Sequence, residues 1–176
     1  MSKQHGLTVD VIIDTPRGSR NKYKFDKKLS GFRLAGVLPA GHSFPYDFGS
    51  VPGTKGEDGD AIDVLVLMEE PAFVGCHVKC RLIGGIRANQ TEEDGRVERN
   101  DRLLAVARKS IEYSPIDNIS ELTDELVTQI EHFFISYNDV KGKKFEPNGR
   151  FGPDEAADIV GRSRKVPDGS GKKRKT

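Results

Sequence analysis

An uninterrupted apolar run at residues 64–68, Val-Leu-Val-Leu-Met, is the feature that most constrains the fold. A strand with one face in water alternates apolar and polar residues, whereas a short run without alternation is typical of a strand covered on both faces. The carboxylate of Asp63 stands directly before this run. We therefore predict a fully covered strand with an acidic side chain at its mouth.

Further strand patterns flank this run on both sides. Residues 21–26 alternate, so that Tyr23 and Phe25 face one way while Lys22 and Lys24 face the other. Apolar stretches predict four other strands, at residues 9–13, 29–38, 74–86 and 103–106. Residues 39–60 are rich in proline, glycine and aromatic side chains, which indicates an ordered functional loop.

Helical patterns lie toward the C-terminus. Residues 120–137 place apolar side chains on one stripe, with Ser120 as the predicted N-cap, and a shorter helix is predicted from Pro153 to about Arg164. At least five strands followed by helices indicate an α+β domain built around a small, closed or nearly closed sheet. A chain of 176 residues is long enough for one such domain with a single core.

The charges divide the chain into an acidic body and a basic end. From Gly161 onward there are seven basic residues and one acid, which leaves 21 basic and 26 acidic residues in the body, a net charge of −5. We predict a single domain over residues 1–165 and a disordered basic tail over residues 166–176. The tail has four consecutive basic residues without interleaved aromatics, so the sequence does not favour nucleic-acid binding over a solubilising role.

Cysteine usage and hydropathy indicate a cytoplasmic protein. Cys76 and Cys80 are the two cysteines of the chain, and on one strand their sulfur atoms would lie ~13 Å apart, too far for a disulfide. No apolar run approaches the ~18 residues of a membrane span, and residues 1–10 lack the basic start and apolar stretch of a signal peptide. We expect no membrane partner.

The candidate chemistry is concentrated in residues 56–63, Gly-Glu-Asp-Gly-Asp-Ala-Ile-Asp. The carboxylates of Asp58, Asp60 and Asp63 would repel one another unless a cation lay between them. Because these ligands are all oxygens, the segment favours a hard ion such as Mg²⁺, Mn²⁺ or Ca²⁺ over zinc. A solvated acidic loop is the alternative, although a carboxylate at the mouth of an apolar strand is usually paired or metal-bound.

Two further polar groups accompany this acidic segment. Basic side chains crowd residues 17–24, where they suit a substrate with several phosphate oxygens or else form a solvated strand face. On a strand, Glu98, Asn100 and Arg102 would share one face and complete a metal and phosphate site, or form a polar hairpin. No nucleophile elbow, P-loop or dinucleotide fingerprint occurs, so covalent catalysis is not supported.

Several segments that follow one another along the chain carry a likeness to a known family. They are residues 14–26, 44–49, 52–54, 58–66, 82–84, 102–106 and 132–137. Together they resemble the soluble family I inorganic pyrophosphatases, whose signature is similar to Asp58-Gly-Asp-Ala-Ile-Asp-Val, over roughly residues 8–145. The resemblance implies a five-stranded OB-like β-barrel with flanking C-terminal helices, in an assembly that is commonly a homohexamer in prokaryotic members.

The resemblance also implies the metal-binding residues. Asp58, Asp60 and Asp63 resemble the metal-binding aspartates of the family, and Asp60 matches the one held to deprotonate the attacking water. Glu92 matches another metal-binding position of the family and keeps its negative charge. Asn100 falls where a metal-binding aspartate is expected, so Glu98 or Asp101 is an alternative ligand there.

Phosphate-binding positions are matched less completely. Lys22 and Tyr137 match residues that grip the substrate phosphate, and Arg102 stands where the family usually has a phosphate-binding lysine. Gly36 takes the place of a substrate-binding arginine, and Asn138 that of a lysine. Several other cations could compensate for these losses: Arg17, Arg20, Arg33, Arg99 or Lys143.

Taken together, these residues predict an Mg²⁺-dependent inorganic diphosphatase, with Mn²⁺ as a substitute metal. It would hydrolyse pyrophosphate to two phosphates through a metal-activated water, without a covalent intermediate. One alternative is a non-catalytic relative that binds metal and phosphorylated ligands. A third hypothesis is an OB-like nucleic-acid-binding module, which the acidic body does not favour.

Overall fold

The computed structural model describes residues 6–164 of the chain. The tail predicted at residues 166–176 lies outside the described residues. The strands are β1 (Thr8–Thr15), β2 (Asn21–Asp26), β3 (Gly31–Val37), β4 (Asp47–Ser50), β5 (Asp63–Leu67), β6 (His77–Thr91), β7 (Val97–Arg99), β8 (Arg102–Ala107) and β9 (Lys144–Phe151). The helices are α1 (Asp124–Asp139) and α2 (Pro153–Ser163), and a short 3₁₀ turn (Ile119–Glu121) precedes α1.

Five of these strands close into a barrel within residues 6–164. Their order is β1-β4-β5-β8-β6, and β6 pairs back onto β1 from Thr8 opposite Arg81 to Ile12 opposite His77. Around this ring the β5–β8 pairing is parallel, and the other four pairings are antiparallel. Strands β7 and β9 extend the sheet from β6, and β2 and β3 form a separate hairpin. The structure confirms the predicted five-stranded barrel with helices that follow it.

The apolar run in β5 is covered on both faces, as predicted. Val64 to Leu67 have no exposed surface. Leu65 and Leu67 belong to a cluster that includes Phe134 of α1, whereas Val64 and Val66 belong to a second cluster that includes Val160 of α2. Each helix therefore packs with one of the two layers that cover the barrel strands, and neither face of β5 needs polar side chains.

Element boundaries differ from the sequence-based predictions at several places. Helix α1 begins at Asp124 rather than Ser120, because the hydroxyl of Thr123 is the N-cap that accepts from Leu126 N at 3.3 Å. Strand β6 continues to Thr91, five residues beyond the predicted end. Strand β4 lies inside residues 39–60, the segment predicted to be an ordered functional loop.

Strand β9 was not predicted from the sequence. It contains a proline and a glycine, residues that are normally depleted in strands. It is tolerated because it pairs with β6 alone, along one edge, and the register shifts between Arg87 and Ala88. Cys76 and Cys80 are both free thiols, as predicted. Among the described residues, neither helix is long and apolar enough to cross a membrane.

A close backbone approach at Gly84 generates a stability prediction. A β-carbon there would lie 2.2 Å from the carbonyl oxygen of Phe151, and the residue has a φ of +140°. Gly84→Ala is therefore expected to destabilise the fold by about 3 kcal/mol, from overlap and backbone strain. Gly161→Ala in α2 meets nothing within 4 Å and is expected to stabilise it by about 0.5 kcal/mol.

Urea unfolding of the two variants beside the unsubstituted protein measures this difference. Equal unfolding midpoints for Gly84→Ala and Gly161→Ala would show that β6 does not approach β9 as closely as described.

Candidate active site

The candidate site lies at the edge of the barrel where β5 and β8 begin. These parallel neighbours are paired with Val64 opposite Leu103, so that their first residues, Asp63 and Arg102, emerge side by side. The Nη1 atom of Arg102 donates to Oδ2 of Asp63 at 2.6 Å. Parallel pairing therefore brings together two charged residues that are separated by 38 intervening positions in the sequence.

Arg102 is held in a nearly closed environment. Its side chain is 5% exposed, and its guanidinium lies 5.0 Å from the ring centroid of Phe134 and 5.4 Å from that of Phe145. The Nε atom is buried without a hydrogen-bond partner. Burial raises the pKa of Asp63, and the Arg102 guanidinium opposes that rise. Arg102 thus fixes the position of Asp63 and has little accessible surface of its own.

A chain of hydrogen bonds runs from Arg102 to Lys143. Asn100 Oδ1 accepts from Arg102, and its Nδ2 donates to Gln90 Oε1 at 3.0 Å. Gln90 Nε2 then donates to Glu92 Oε1 at 2.6 Å, and Glu92 Oε2 pairs with Lys143 Nζ at 2.7 Å. Arginine can only donate and a carboxylate can only accept, so both ends of the chain fix the orientation of the two amides.

Glu92 is consequently separated from Asp63 by three side chains in this arrangement. Hydrogen bonds from Lys143 and Gln90 hold the pKa of Glu92 below its usual value. Of the alternative ligands considered for the position of Asn100, Asp101 pairs with Arg99 at 2.8 Å and Glu98 pairs with Arg96 at 3.3 Å. Both of these acids are held by neighbours outside the chain of amides.

Lys22 projects from β2 onto the end of β1. Its Nζ atom donates to Asp14 Oδ1 at 2.6 Å and approaches Thr15 Oγ1 at 3.4 Å. The ammonium also lies 4.5 Å from the ring centroid of Phe48, and its side chain is 16% exposed. Burial raises the pKa of Asp14, and Lys22 acts against that rise. This lysine is therefore positioned by an acid, a hydroxyl and an aromatic face.

The acidic loop before β5 is folded by its own backbone. Asp58 Oδ1 accepts from the backbone amide of Asp60 at 3.0 Å, and Gly56 N donates to Asp60 O at 2.7 Å. The pKa of Asp58 is raised, mainly by burial and also by the negative charges of Asp63 and Asp60. The hydrogen bond from Asp60 N opposes this rise. Asp60 is 68% exposed, and the Nζ atom of Lys24 lies 3.9 Å from its Oδ1 atom.

Helix α2 anchors this loop to the barrel. Lys55 N donates to Ser163 O at 2.7 Å, and Thr54 forms an isolated bridge with Arg164. The hydroxyl of Thr54 accepts from Ile62 N at 3.0 Å, which fixes the approach to Asp63. The second helix thus supports the loop that carries the aspartates.

Tyr137 closes the site from α1. Its ring stacks on Phe133 with centroids 5.7 Å apart and meets Phe44 edge-on at 5.6 Å. Burial raises the pKa of the Tyr137 hydroxyl, which remains protonated at neutral pH. The hydroxyl accepts from the ammonium of Lys141, a residue that the sequence analysis did not select. The signal available in the sequence was its spacing of four residues from Tyr137 in a basic segment.

The two positions that lack an expected cation differ in their surroundings. Gly36 lies in β3 opposite Lys22, and a β-carbon there would meet nothing within 4 Å. Asn138 is 2% exposed, and its Nδ2 donates to Phe134 O at 2.8 Å, within the helix. The Asn138 side chain is therefore bound within α1.

Most of the cations proposed as replacements already have partners of their own. Arg20 donates to Leu38 O at 2.7 Å, Arg33 pairs with Asp26 at 2.9 Å, and Arg99 contacts Asp101 and Glu155. Arg17 lies over the ring of Tyr46 at 5.5 Å. Lys143 alone among these five joins the hydrogen-bond chain of the site.

A cavity of about 340 Å³ opens beside the aspartates. Its lining includes Asp58, Asp63 and Asn100 together with the cations Lys55, Arg99 and Arg162. Lys22 and Tyr137 do not line it. The cavity thus lies on the α2 side of the acidic group, and the Lys22 side of the site is separate from it.

The donor set of the site suits hard metal ions. All the implied ligands offer carboxylate or amide oxygens, and mutual repulsion among the loop aspartates is of the kind that a divalent cation relieves. Within residues 6–164, no group of three or more aspartate, glutamate, histidine or cysteine side chains is close enough together to hold a metal ion.

Comparison with known proteins places this arrangement in a family. A sequence model of the inorganic pyrophosphatases matches residues 11–166. An inorganic pyrophosphatase from Streptomyces coelicolor is 38% identical over 160 residues, which are 90% of this chain and 95% of that protein. One from Synechocystis is 36% identical over 138 residues, 78% of this chain and 79% of that protein.

Solved structures agree with the sequence comparisons. The crystal structure of inorganic pyrophosphatase from Thermus thermophilus matches with a TM-score of 0.81 and 30% identity, covering 93% of this chain and 91% of that one. A second, from Neisseria gonorrhoeae, matches with a TM-score of 0.80 and 29% identity over 90% of each chain. With a barrel of the same kind and a family match over most of its length, the chain belongs to the inorganic pyrophosphatase family.

Proposed function

We propose that this protein hydrolyses inorganic pyrophosphate to two phosphates by direct attack of water, with Mg²⁺ as its metal and Mn²⁺ as a substitute. The observation that carries the proposal is the placement of the acidic loop beside Lys22 and Arg102 at one edge of the barrel. A polyphosphate substrate with divalent ions requires acids and cations close together. The names of the matched relatives support the same reaction.

The proposed metal ligands are Asp58 and Asp60 of the acidic loop and Asp63 at the start of β5, with Glu92 and Asn100 as further ligands. When bound, divalent ions would supply charge neutralisation of the phosphate oxygens and acidification of a water. Asp63 is pre-positioned by Arg102 and Asp58 by the amide of Asp60. Asp60 is the exposed member of the three, with 68% of its side chain exposed, whereas Asp58 and Asp63 are half-buried.

The reaction itself needs one proton acceptor and no covalent enzyme intermediate. The oxygen of water forms a bond to one phosphorus atom as the bridging P–O bond breaks, and the bridging oxygen leaves with the second phosphate. Asp60 accepts a proton from the attacking water. Acceptance of this proton by a positioned carboxylate is worth roughly 10²-fold to 10⁴-fold in rate.

Three side chains are proposed to act on the substrate phosphates. The Lys22 ammonium has three donors, of which Asp14 and Thr15 engage two, so one remains for a phosphate oxygen. The protonated hydroxyl of Tyr137 can donate a hydrogen bond to a phosphate oxygen. Arg102 contributes positive charge, while its principal contact is the one that positions Asp63.

The alternatives raised by the sequence receive less support. The matched relatives are named as pyrophosphatases, so a binding protein without turnover is not favoured. A nucleic-acid-binding function has no support from the residues of this site, because its exposed loop carries negative charge. We further propose a cytoplasmic homohexamer, an assembly supported by the family resemblance.

A first prediction concerns the base. Asp60→Asn is expected to lower kcat for pyrophosphate by about 10²-fold or more, because an amide cannot accept the proton. Asp10→Asn, at an exposed position of β1, serves as the matched control and should retain full activity. Phosphate release is measured with Mg²⁺ and again with a chelator. Background release by all three proteins under both conditions would reject catalysis.

A second prediction concerns metal-dependent stability. Asp58 has a raised pKa in the folded protein, so its contribution to stability is present below about pH 4 and lost as the pH rises. Asp58→Asn is therefore expected to stabilise the metal-free protein at pH 7 and to make stability depend less on pH between 4 and 7. Mg²⁺ at a hundred times its Kd should stabilise the unsubstituted protein by about 2.7 kcal/mol.

Thermal unfolding of both proteins with Mg²⁺ or with a chelator checks this prediction. Asp58→Asn should lose most of the Mg²⁺ effect, while Asp10→Asn keeps it. The same stabilisation by Mg²⁺ in Asp58→Asn and in the unsubstituted protein would contradict the proposed ligand role.

A further inference from the structure

The turn after α1 returns Lys141 to the site. Helix α1 ends at Asp139, and the backbone amides of Lys141 and Lys143 both donate to Asn138 O, at 2.9 and 3.0 Å. The chain reverses at Gly142, which has a φ of +71°. As a result the Lys141 ammonium lies 3.8 Å from the ring centroid of Tyr137 and donates to its hydroxyl.

Lys141 differs from the other cations of the site in its charge partners. Lys22 pairs with Asp14 at 2.6 Å, Arg102 with Asp63 at 2.6 Å and Lys143 with Glu92 at 2.7 Å. Over residues 6–164, no carboxylate lies within salt-bridge distance of Lys141. Of these four cations, Lys141 is therefore the one without an acid in direct contact among the described residues.

The surroundings of Lys141 make this lack of an acid informative. Its ammonium is partly desolvated against the Tyr137 ring and shares the site with Lys22, Lys143 and Arg102, whereas Asp63 gives only a weaker attraction. These influences, desolvation first, lower the pKa of Lys141 to about 8. The residue nevertheless remains solvent-exposed, so a ligand can reach it. A cation held among cations in an accessible position is suited to an incoming anion.

We propose that Lys141 is a substrate-binding residue whose ammonium contacts one phosphate group of pyrophosphate beside the Tyr137 hydroxyl. The inference rests on the proposed function. Lys141 would supply a cation that two other positions do not. Gly36 has no side chain, and the Asn138 amide is bound within α1. Arg20, Arg33 and Arg99 are occupied by other contacts, as described above.

Steady-state kinetics at pH 7 provide the first test. Lys141→Met removes the charge and keeps a similar length, and it is expected to raise the KM for pyrophosphate tenfold or more while kcat changes less than threefold. Lys141→Arg should restore KM to within threefold. Lys144→Met is the matched control, because Lys144 is exposed and pairs with Glu146 at 2.8 Å. A KM for Lys141→Met within twofold of the unsubstituted protein would overturn the proposal.

The pH profile gives a readout that a structural lysine would not change. As the pH rises above about 8, Lys141 loses its proton and its attraction for phosphate, whereas an arginine stays charged. The KM of the unsubstituted protein relative to that of Lys141→Arg should therefore rise between pH 7 and pH 9.5. Because both proteins face the same substrate, titration of pyrophosphate cancels in this ratio. A constant ratio would count against phosphate binding by Lys141.

A metal-free experiment separates failure of this inference from failure of the proposed function. Inorganic phosphate is titrated into chelator-treated protein while the side-chain nitrogen signal of Lys141 is followed by NMR, with Lys141→Met used to assign the signal. Phosphate should shift this signal and raise the pKa of Lys141, even if pyrophosphate is not hydrolysed. Turnover of pyrophosphate with no response of Lys141 to phosphate would leave the function standing and reject the role of Lys141.

Discussion

The ion pair between Asp63 and Arg102 is the constraint on which the rest of the site depends. It forms because β5 and β8 are parallel and begin at the same edge, so two distant residues become neighbours. Removing charges from water is costly, and here the cost is offset by a 2.6 Å contact and by the aromatic faces around the guanidinium. The same guanidinium orients Asn100 and, through it, the amide chain toward Glu92.

This central pair also links the site to the fold. Phe134 comes from α1 and Phe145 from β9, so the helix, the edge strand and the two barrel strands meet at one side chain. Deleting the arginine would leave a carboxylate without its partner at the start of a fully buried strand. Such a loss is commonly more damaging than replacement of the whole pair by apolar groups. Structural and chemical requirements therefore coincide at Arg102.

Much of the barrel could be predicted from local sequence patterns. The apolar run of β5 indicated coverage on both faces, whereas the alternation expected over residues 21–26 is interrupted by a register shift between Lys22 and Tyr23. Strand β9 could not be recognised in this way, because Pro147 and Gly149 are tolerated only through its edge pairing with β6. The N-cap was misplaced because Ser120 and Thr123 are both suitable residues, and the 3₁₀ turn before α1 decides between them.

The candidate site was predictable in its composition but not in its contacts. The acidic motif and the likeness to a family selected Asp58, Asp60 and Asp63, yet nothing local indicated that Arg102 would contact Asp63. Lys141 was not selected from the sequence because it lies beyond the end of α1, and only the turn at Gly142 brings it back to the site. Its spacing of four residues from Tyr137 was the signal in the sequence, and the chain path shows that this spacing becomes a contact.

A crystal structure with Mn²⁺ and phosphate bound tests the central claim most directly, because anomalous scattering locates manganese independently of the protein. We expect manganese in contact with Asp58, Asp60 and Asp63, and phosphate between Lys22 and Tyr137. Manganese bound elsewhere, with all three aspartates directed into bulk solvent, would contradict the account.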